Sequence, residues 1–267
     1  MSIPKKIHYC WVGGGEMPEN NLRYIESWKK FCPDYEIIRW DESNYDFTQN
    51  KYMADAYAAK KWGFVPDYAR IDIVYQNGGI YLDTDVEIVK NLDPLLSDTC
   101  FFAFDKVGQV NLGGGFGGEA GSETLRRLRD AYDTLSFYNA DGTLNLVPSP
   151  LYTTRFLKDM DAFAFDGTMQ RKNGVAVYPW QCFDPYNGLE GTMKTNETTF
   201  TIHWYDASWL DAKQKKYVVL MGKYQRRFGK KLGMFLFWPV SMVYTYGALG
   251  AVKRIFTVLG NRLKGDR

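Results

Sequence analysis

The stretch Gly78-Gly79-Ile80-Tyr81-Leu82-Asp83-Thr84-Asp85-Val86-Glu87 decides how this chain is read. Two glycines lead into a short apolar strand, Ile80 to Leu82, and Val86 to Val89 reads as a second strand. Between them Asp83 and Asp85 stand one residue apart, where the strand breaks. Alternate side chains of an extended backbone share a face, so both carboxylates are expected to point the same way from a strand end. Acids that close repel unless positive charge lies beside them. A divalent cation with a bound diphosphate meets that need, because hard cations take carboxylate oxygens together with substrate phosphates. An acidic turn without a ligand is the plain alternative for a bare Asp-x-Asp, and the surrounding residues decide between the two.

Just upstream, Pro66 suits the first position of a helix, Asp67 to Gln76, closed by Asn77-Gly78-Gly79. Asp67, Arg70 and Val74 fall on one face of it at three- and four-residue spacing. As a surface pair Asp67 and Arg70 are worth little, but they lie on the element expected to pack beside the acidic turn. Further back, Ile7 to Val12 is the first strand and runs into Gly13-Gly14-Gly15. Trp11 stands at its carboxyl end, where open α/β sheets receive ligands. Its ring can face a planar base or belong to the core. His8 reads as a satisfied core histidine. Asn20 or Asn21 caps a helix to Phe31, Tyr35 to Trp40 is a strand, and Lys51 to Trp62 is a helix. Downstream, strands are expected over 101–104, 110–112, 175–180 and 199–204, with helices over 122–135 and 149–157. Strands alternating with helices over some 200 residues point to an α/β domain on a mixed sheet.

Gly113 to Gly118 contains Gly-x-Gly-x-x-Gly, but no Lys-Ser/Thr follows, so neither a P-loop nor a dinucleotide site is expected. These glycines instead let backbone approach a ligand or a neighbouring strand. The four cysteines, Cys10, Cys32, Cys100 and Cys182, form no zinc pattern. Met1 to Lys6 runs straight into a strand and leaves no room for a signal peptide, so a cytosolic protein with reduced thiols is expected. Hydrophobic content of 45% supports a full core. The net charge of +2 conceals an asymmetry: residues 213–267 hold thirteen Lys/Arg and one acid, whereas residues 1–212 hold twenty basic and thirty acidic residues. An acidic body with a basic tail suggests that the tail meets an anionic surface.

Four motifs in order carry a resemblance: Ile3 to Trp11, Phe64-Val65-Pro66-Asp67-Tyr68-Ala69-Arg70, Gly78 to Asp85, and Ser208-Trp209. On these the chain resembles the glycosyltransferases of family 32, which include bacterial capsular polysaccharide transferases and yeast-type mannosyltransferases. It is distantly similar to the large clostridial glucosylating toxins. The resemblance implies a GT-A fold over residues 1–212, a Rossmann-like mixed sheet flanked by helices, followed by a basic, apolar helical tail over 213–267. It implies that Trp11 stacks on the base of a nucleotide-sugar donor, and that Asp67 and Arg70 grip the donor sugar and ribose or phosphate. Asp83 would bind sugar or ribose hydroxyls, and Asp85 would ligate Mn2+ or Mg2+. Ser208 and Trp209 would close over the diphosphate, with Ser208 near the metal, and Asn111 would face the donor sugar. His203 and Asp206 compete for the third ligand position. Pro66 stands where the family usually has a serine, which changes a helix cap and not the chemistry.

The implied reaction transfers a hexose with retention to a glycan acceptor, by front-face attack, since no residue stands out as a nucleophile. UDP-sugars are the expected donors, a lipid-linked oligosaccharide of capsule or cell-surface glycan assembly the expected acceptor. The acceptor pocket is expected from loops 105–118 and 139–150. A binding protein without turnover and a toxin-like transferase acting on protein are the alternatives; a nucleotidyltransferase would want a lysine-bearing glycine loop. Leu232 to Val252 is uncharged and long enough to span a bilayer. Pro239 interrupts it, however, and five basic residues flank each side, so no charge bias orients a span. Helices lying in the interface of an anionic membrane are expected, with ordinary core helices packed on the catalytic domain as the alternative. The protein is thereby placed peripherally on the cytoplasmic face; nucleic acid is not an expected partner.

Overall fold

The computed structural model describes residues 3–188, 190–206, 212–229, 231–244, 247 and 250. The chain divides into two compact units, Met1–Tyr186 with Met193–Trp209, and Asn187–Thr192 with Leu210–Arg267.

The first unit is built on a seven-stranded mixed sheet. Its strands are β1 (Lys6–Cys10), β2 (Glu36–Trp40), β3 (Gly79–Tyr81), β5 (Cys100–Ala103), β6 (Phe116–Gly118), β7 (Gln170–Lys172) and β8 (Val175–Tyr178). They lie in the order β2-β1-β3-β6-β5-β8-β7. β1 runs parallel to β2 and β3, β6 runs antiparallel to β3 and β5, and β8 is parallel to β5. A separate antiparallel ladder pairs β4 (Val86–Ile88) with the last strand, Thr201–His203.

The period of two along the strands divides the sheet between two cores. Ile7, Ile80, Phe101, Ala103 and Ala176 face one side, packed with Ile25 and Trp28 of α1 (Glu19–Phe31). Tyr81, Cys100, Phe102, Phe116 and Val177 face the other. There they meet α2 (Lys51–Ala58), α3 (Pro66–Asn77), α4 (Glu123–Asp130) and α5 (Ser149–Asp159) through Met53, Val74, Leu125 and Phe156. This is the helix-flanked mixed α/β sheet that the resemblance implies.

Several local expectations need correction. Val110 forms only an isolated bridge to Phe104, and the strand lies further on, at β6 inside the glycine run. A Cβ on Gly117 would lie 2.6 Å from the Phe101 ring and 2.9 Å from the Gly79 carbonyl, so only glycine lets this strand enter the sheet. α2 stops at Ala58, four residues early, where Lys60 takes a left-handed φ of 54°. Pro18, not an asparagine, precedes α1, and buried Asn21 lies within the helix.

His8 is a satisfied core histidine. Nε2 lies 2.8 Å from the Gly78 carbonyl, and Nδ1 accepts from the Trp40 indole at 3.1 Å. Burial pulls its pKa down to about 4. The folded state therefore refuses a proton that the unfolded chain accepts near pH 6.5, and stability is lost as pH falls between the two values. The expected loss is about 3 kcal/mol. Urea unfolding of the parent and of His8→Gln checks it: the gap between them should narrow from pH 7 to pH 4.5. A constant gap would show that His8 does not titrate in this way.

In the second unit α6 (Ala212–Phe228) is followed by helical backbone over 231–244, and Gly229 turns the chain with φ of 76°. Pro239 does not end this second helix. Among the described residues no helix is long and apolar enough to cross a membrane.

Candidate active site

The site gathers at the carboxyl end of β3. Asp83 and Asp85 are not extended there. The Val86 amide donates to the Asp83 carbonyl at 3.1 Å, so the acids share a tight turn that brings both side chains to one side. Thr84, between them, is buried and accepts from Asn21 Nδ2 at 2.8 Å, which ties the turn to α1. The Trp28 indole donates to the Val86 carbonyl at 2.7 Å and fixes the start of β4.

The ladder between β4 and Thr201–His203 sets His203 opposite Val86. Its Nε2 lies 3.2 Å from Asp85 Oδ1, and one ligand atom each from Asp83, Asp85 and His203 lie within 4.8 Å of one another. Two carboxylates and an imidazole suit a divalent ion that accepts oxygen and nitrogen. Among the described residues the buried Nδ1 of His203 has no hydrogen-bond partner, so they leave the ring not fully satisfied. Burial by itself would raise the Asp85 pKa, but His203 and the Asp206 amide hold it below the usual carboxylate range. Burial likewise pulls His203 down, and the Asp85 carboxylate outweighs it and raises the imidazole above its ordinary value.

The second part of the site comes from the first turns of α3. Arg70 and Asp67 are both buried and pair at 2.8 Å, and the same guanidinium reaches Asp83 Oδ2 at 3.4 Å. Arg70 also donates to the Pro66 carbonyl at 3.0 Å and lies over the Tyr81 ring. One cation thus links the helix to the acidic turn. Burial pushes Asp67 up to about 6 against the pull of Arg70 and of Ser149, which opens α5.

The third part is the loop before β6. Asn111 Oδ1 accepts from the Gly113 amide at 3.0 Å, and the Gly113 carbonyl accepts from the Asp83 amide at 3.0 Å. A Cβ on Gly113 would overlap Asp83 Oδ2, so this glycine makes the room that the carboxylate occupies. Asn111 Nδ2 lies 3.4 Å from the Tyr205 hydroxyl. Tyr205, with a left-handed φ of 55°, stacks on His203 with centroids 4.0 Å apart.

The structure therefore brings together Asp67, Arg70, Asp83, Asp85, Asn111 and His203. Asp206 reaches Asp85 through its backbone amide, at 3.0 Å, and is outside the three-residue cluster. Trp11 follows β1 just as Asp83 follows the neighbouring parallel β3; it is half-buried and donates to the Gly15 carbonyl at 2.7 Å. Ser208 and Trp209 lie outside the described residues. Asn21 and Tyr205 were not singled out for the site from sequence. Tyr205 adjoins the His203-Trp204 strand end and carried that signal; Asn21 carried only a helix-cap signal.

Residues 18–102 match the glycosyltransferase sugar-binding region containing the DXD motif. The chain is 38% identical over 99 residues to inositol phosphoceramide mannosyltransferase 3 of Schizosaccharomyces pombe, covering 36% of this chain and 28% of that protein. It is 33% identical over 116 residues to an uncharacterized glycosyltransferase of Acanthamoeba polyphaga mimivirus, covering 40% of this chain and 45% of that protein. The matches thus span less than half the length of these relatives. Among solved structures, the PaToxG glycosyltransferase aligns with a TM-score of 0.49 at 18% identity, over 60% of this chain and 70% of that one. The match of residues 18–102 to a glycosyltransferase sugar-binding region with a DXD motif bears out the resemblance to glycosyltransferase family 32.

Proposed function

We propose that the chain is a metal-dependent, retaining glycosyltransferase that moves a hexose from a nucleotide-sugar to a glycan. The observation that carries this reading is the convergence of Asp83, Asp85 and His203, beside the buried Asp67–Arg70 pair, at the end of a strand in a DXD region. Asp83, Asp85 and His203 would hold Mn2+ or Mg2+. Such an ion, when bound, neutralises the charge that develops on a departing nucleoside diphosphate. Arg70 fixes the Asp83 carboxylate and presents a cation that needs no reorganisation during reaction. Asp83 and Asn111 offer an anion and an amide to the electron-poor sugar ring, as in other glycosyl chemistry. The anomeric C–O bond to phosphate breaks, a bond to the acceptor hydroxyl forms on the same face, and the acceptor proton passes to the leaving phosphate.

UDP-sugars are the first donors to try, with GDP-mannose, used elsewhere in the family, beside them. A lipid-linked oligosaccharide is the acceptor in this reading, with residues 213–267 holding the protein peripherally on the cytoplasmic face of a membrane. The test is release of nucleoside diphosphate from a panel of nucleotide-sugars with Mn2+. Release with one donor supports the reading. Tight nucleoside diphosphate binding with no release from any donor would mark a binding protein.

Trp11 gives a separate check. If its ring receives the base, Trp11→Ala should raise the donor KM roughly tenfold, the value of one stacked base. An unchanged KM in a folded variant would leave Trp11 a structural residue, held to Gly15.

A further inference from the structure

The second unit carries an apolar surface that packing among its described residues does not use. Gly233 lets the two helical stretches approach backbone to backbone, since a Cβ there would lie 2.6 Å from the Tyr224 carbonyl. Tyr217, Tyr224, Phe237 and Tyr244 form the seam between them, with ring centroids 5.1–5.5 Å apart. Leu232, Phe235, Leu236 and Val243 recur at helical spacing on a different face of the 231–244 helix. They are exposed, Phe235 to 68% and Leu232 to 52%. Half of the exposed large apolar side chains among the described residues lie between Val218 and Val243.

Cationic groups adjoin this stripe. Lys216, Lys223 and Arg227 form one row on α6, and the chain has no acid between Asp211 and Asp266. An open groove of about 550 Å³ is lined by Leu220, Lys223, Tyr224, Arg227, Phe228 and Leu236. It joins two cations to aromatic and aliphatic walls. A polyanion alone would satisfy the cations and leave the stripe in water. A ligand with a phosphate at one end and hydrocarbon at the other satisfies both.

We propose that this groove receives the phosphate of an anionic phospholipid, with Lys223 and Arg227 on the headgroup and Leu232, Phe235 and Leu236 in the acyl region. The proposal rests on the membrane-associated reading above and places that association at one groove. Charged groups near an anionic leaflet each add about 1 kcal/mol, and buried apolar area adds the rest.

Sedimentation of the full chain with phosphatidylserine-containing vesicles, and with pure phosphatidylcholine vesicles, tests it. The parent should pellet with the first and much less with the second. Lys223→Gln/Arg227→Gln should weaken binding about thirtyfold, the two charges converted at tenfold per 1.4 kcal/mol. Lys29→Gln/Lys30→Gln, an equal charge change on exposed residues of α1, should weaken it far less. Phe235→Glu should abolish it. Equal losses from the two double variants would overturn the groove and leave only net-charge attraction. Equal binding to both vesicle types, or a stable dimer of the full chain that ignores vesicles, would overturn the phospholipid assignment. Donor hydrolysis should be the same in parent and variants. Its absence throughout, with vesicle binding intact, would strike the transferase reading and not this one.

Discussion

Asp85→Ala abolishes sugar transfer: the expected fall in turnover is roughly a thousandfold or more. A divalent ion contributes several kcal/mol to stabilising the leaving group, and each 1.36 kcal/mol is tenfold in rate. Asp85 contributes both to the three-residue cluster and to the setting of His203, at 3.2 Å. The fold should survive, because the Asp85 carbonyl still accepts from the Trp204 amide at 2.9 Å. Asp83→Ala should be equally inactive. Two readouts check this, nucleoside diphosphate release with Mn2+ and calorimetric titration of Mn2+ into the free protein. Near-normal turnover of Asp85→Ala in excess EDTA would end the metal-dependent reading. Lost turnover with unchanged Mn2+ affinity would move the ion elsewhere.

Arg70→Leu should cost about 3–5 kcal/mol of stability at pH 8, the usual effect of leaving a buried charge without its partner. Both members of the Asp67–Arg70 pair are about 95% buried, so solvent does not soften the loss. The cost should shrink on acidification. With Arg70 present, burial already pushes Asp67 up to about 6. A carboxyl raised in the folded state binds its proton more tightly there than in the unfolded chain, so its contribution falls as pH rises from about 4 to about 6. Removing Arg70 takes away the pull that opposes burial, so this window extends upward. At pH 5 Asp67 is protonated and needs no cation. Urea unfolding of the parent and Arg70→Leu at pH 5 and pH 8 measures the difference; an equal cost at both would show that Asp67 stays ionised. Asp67 and His8 act in opposite directions below pH 6.5, so the variants, not the parent curve, separate them.

Much of this was legible along the chain because the signals are local. Gly78 to Glu87 announces a strand, a break and two acids within ten residues, and Asp67 and Arg70 need only a helical turn to meet. The apolar runs at 101–104 and 175–178 mark strands by composition alone, while the division of Phe101 from Phe102 between two cores appears only in the packed sheet. Tertiary structure alone decided what joins these pieces. His203 lies 118 residues beyond Asp85, and only the ladder of β4 with Thr201–His203 makes them neighbours. Asn21 reaches Thr84 across 63 residues. The extended geometry expected for Asp83 and Asp85 gave way to a turn because the Val86 amide found the Asp83 carbonyl, which no spacing encodes. Gly113 and Gly117 are the plainest case. Sequence shows that they lack side chains; only the packed fold shows that a Cβ would strike Asp83 at one and Phe101 at the other. Close approach is a property of two segments, and a sequence presents them one at a time.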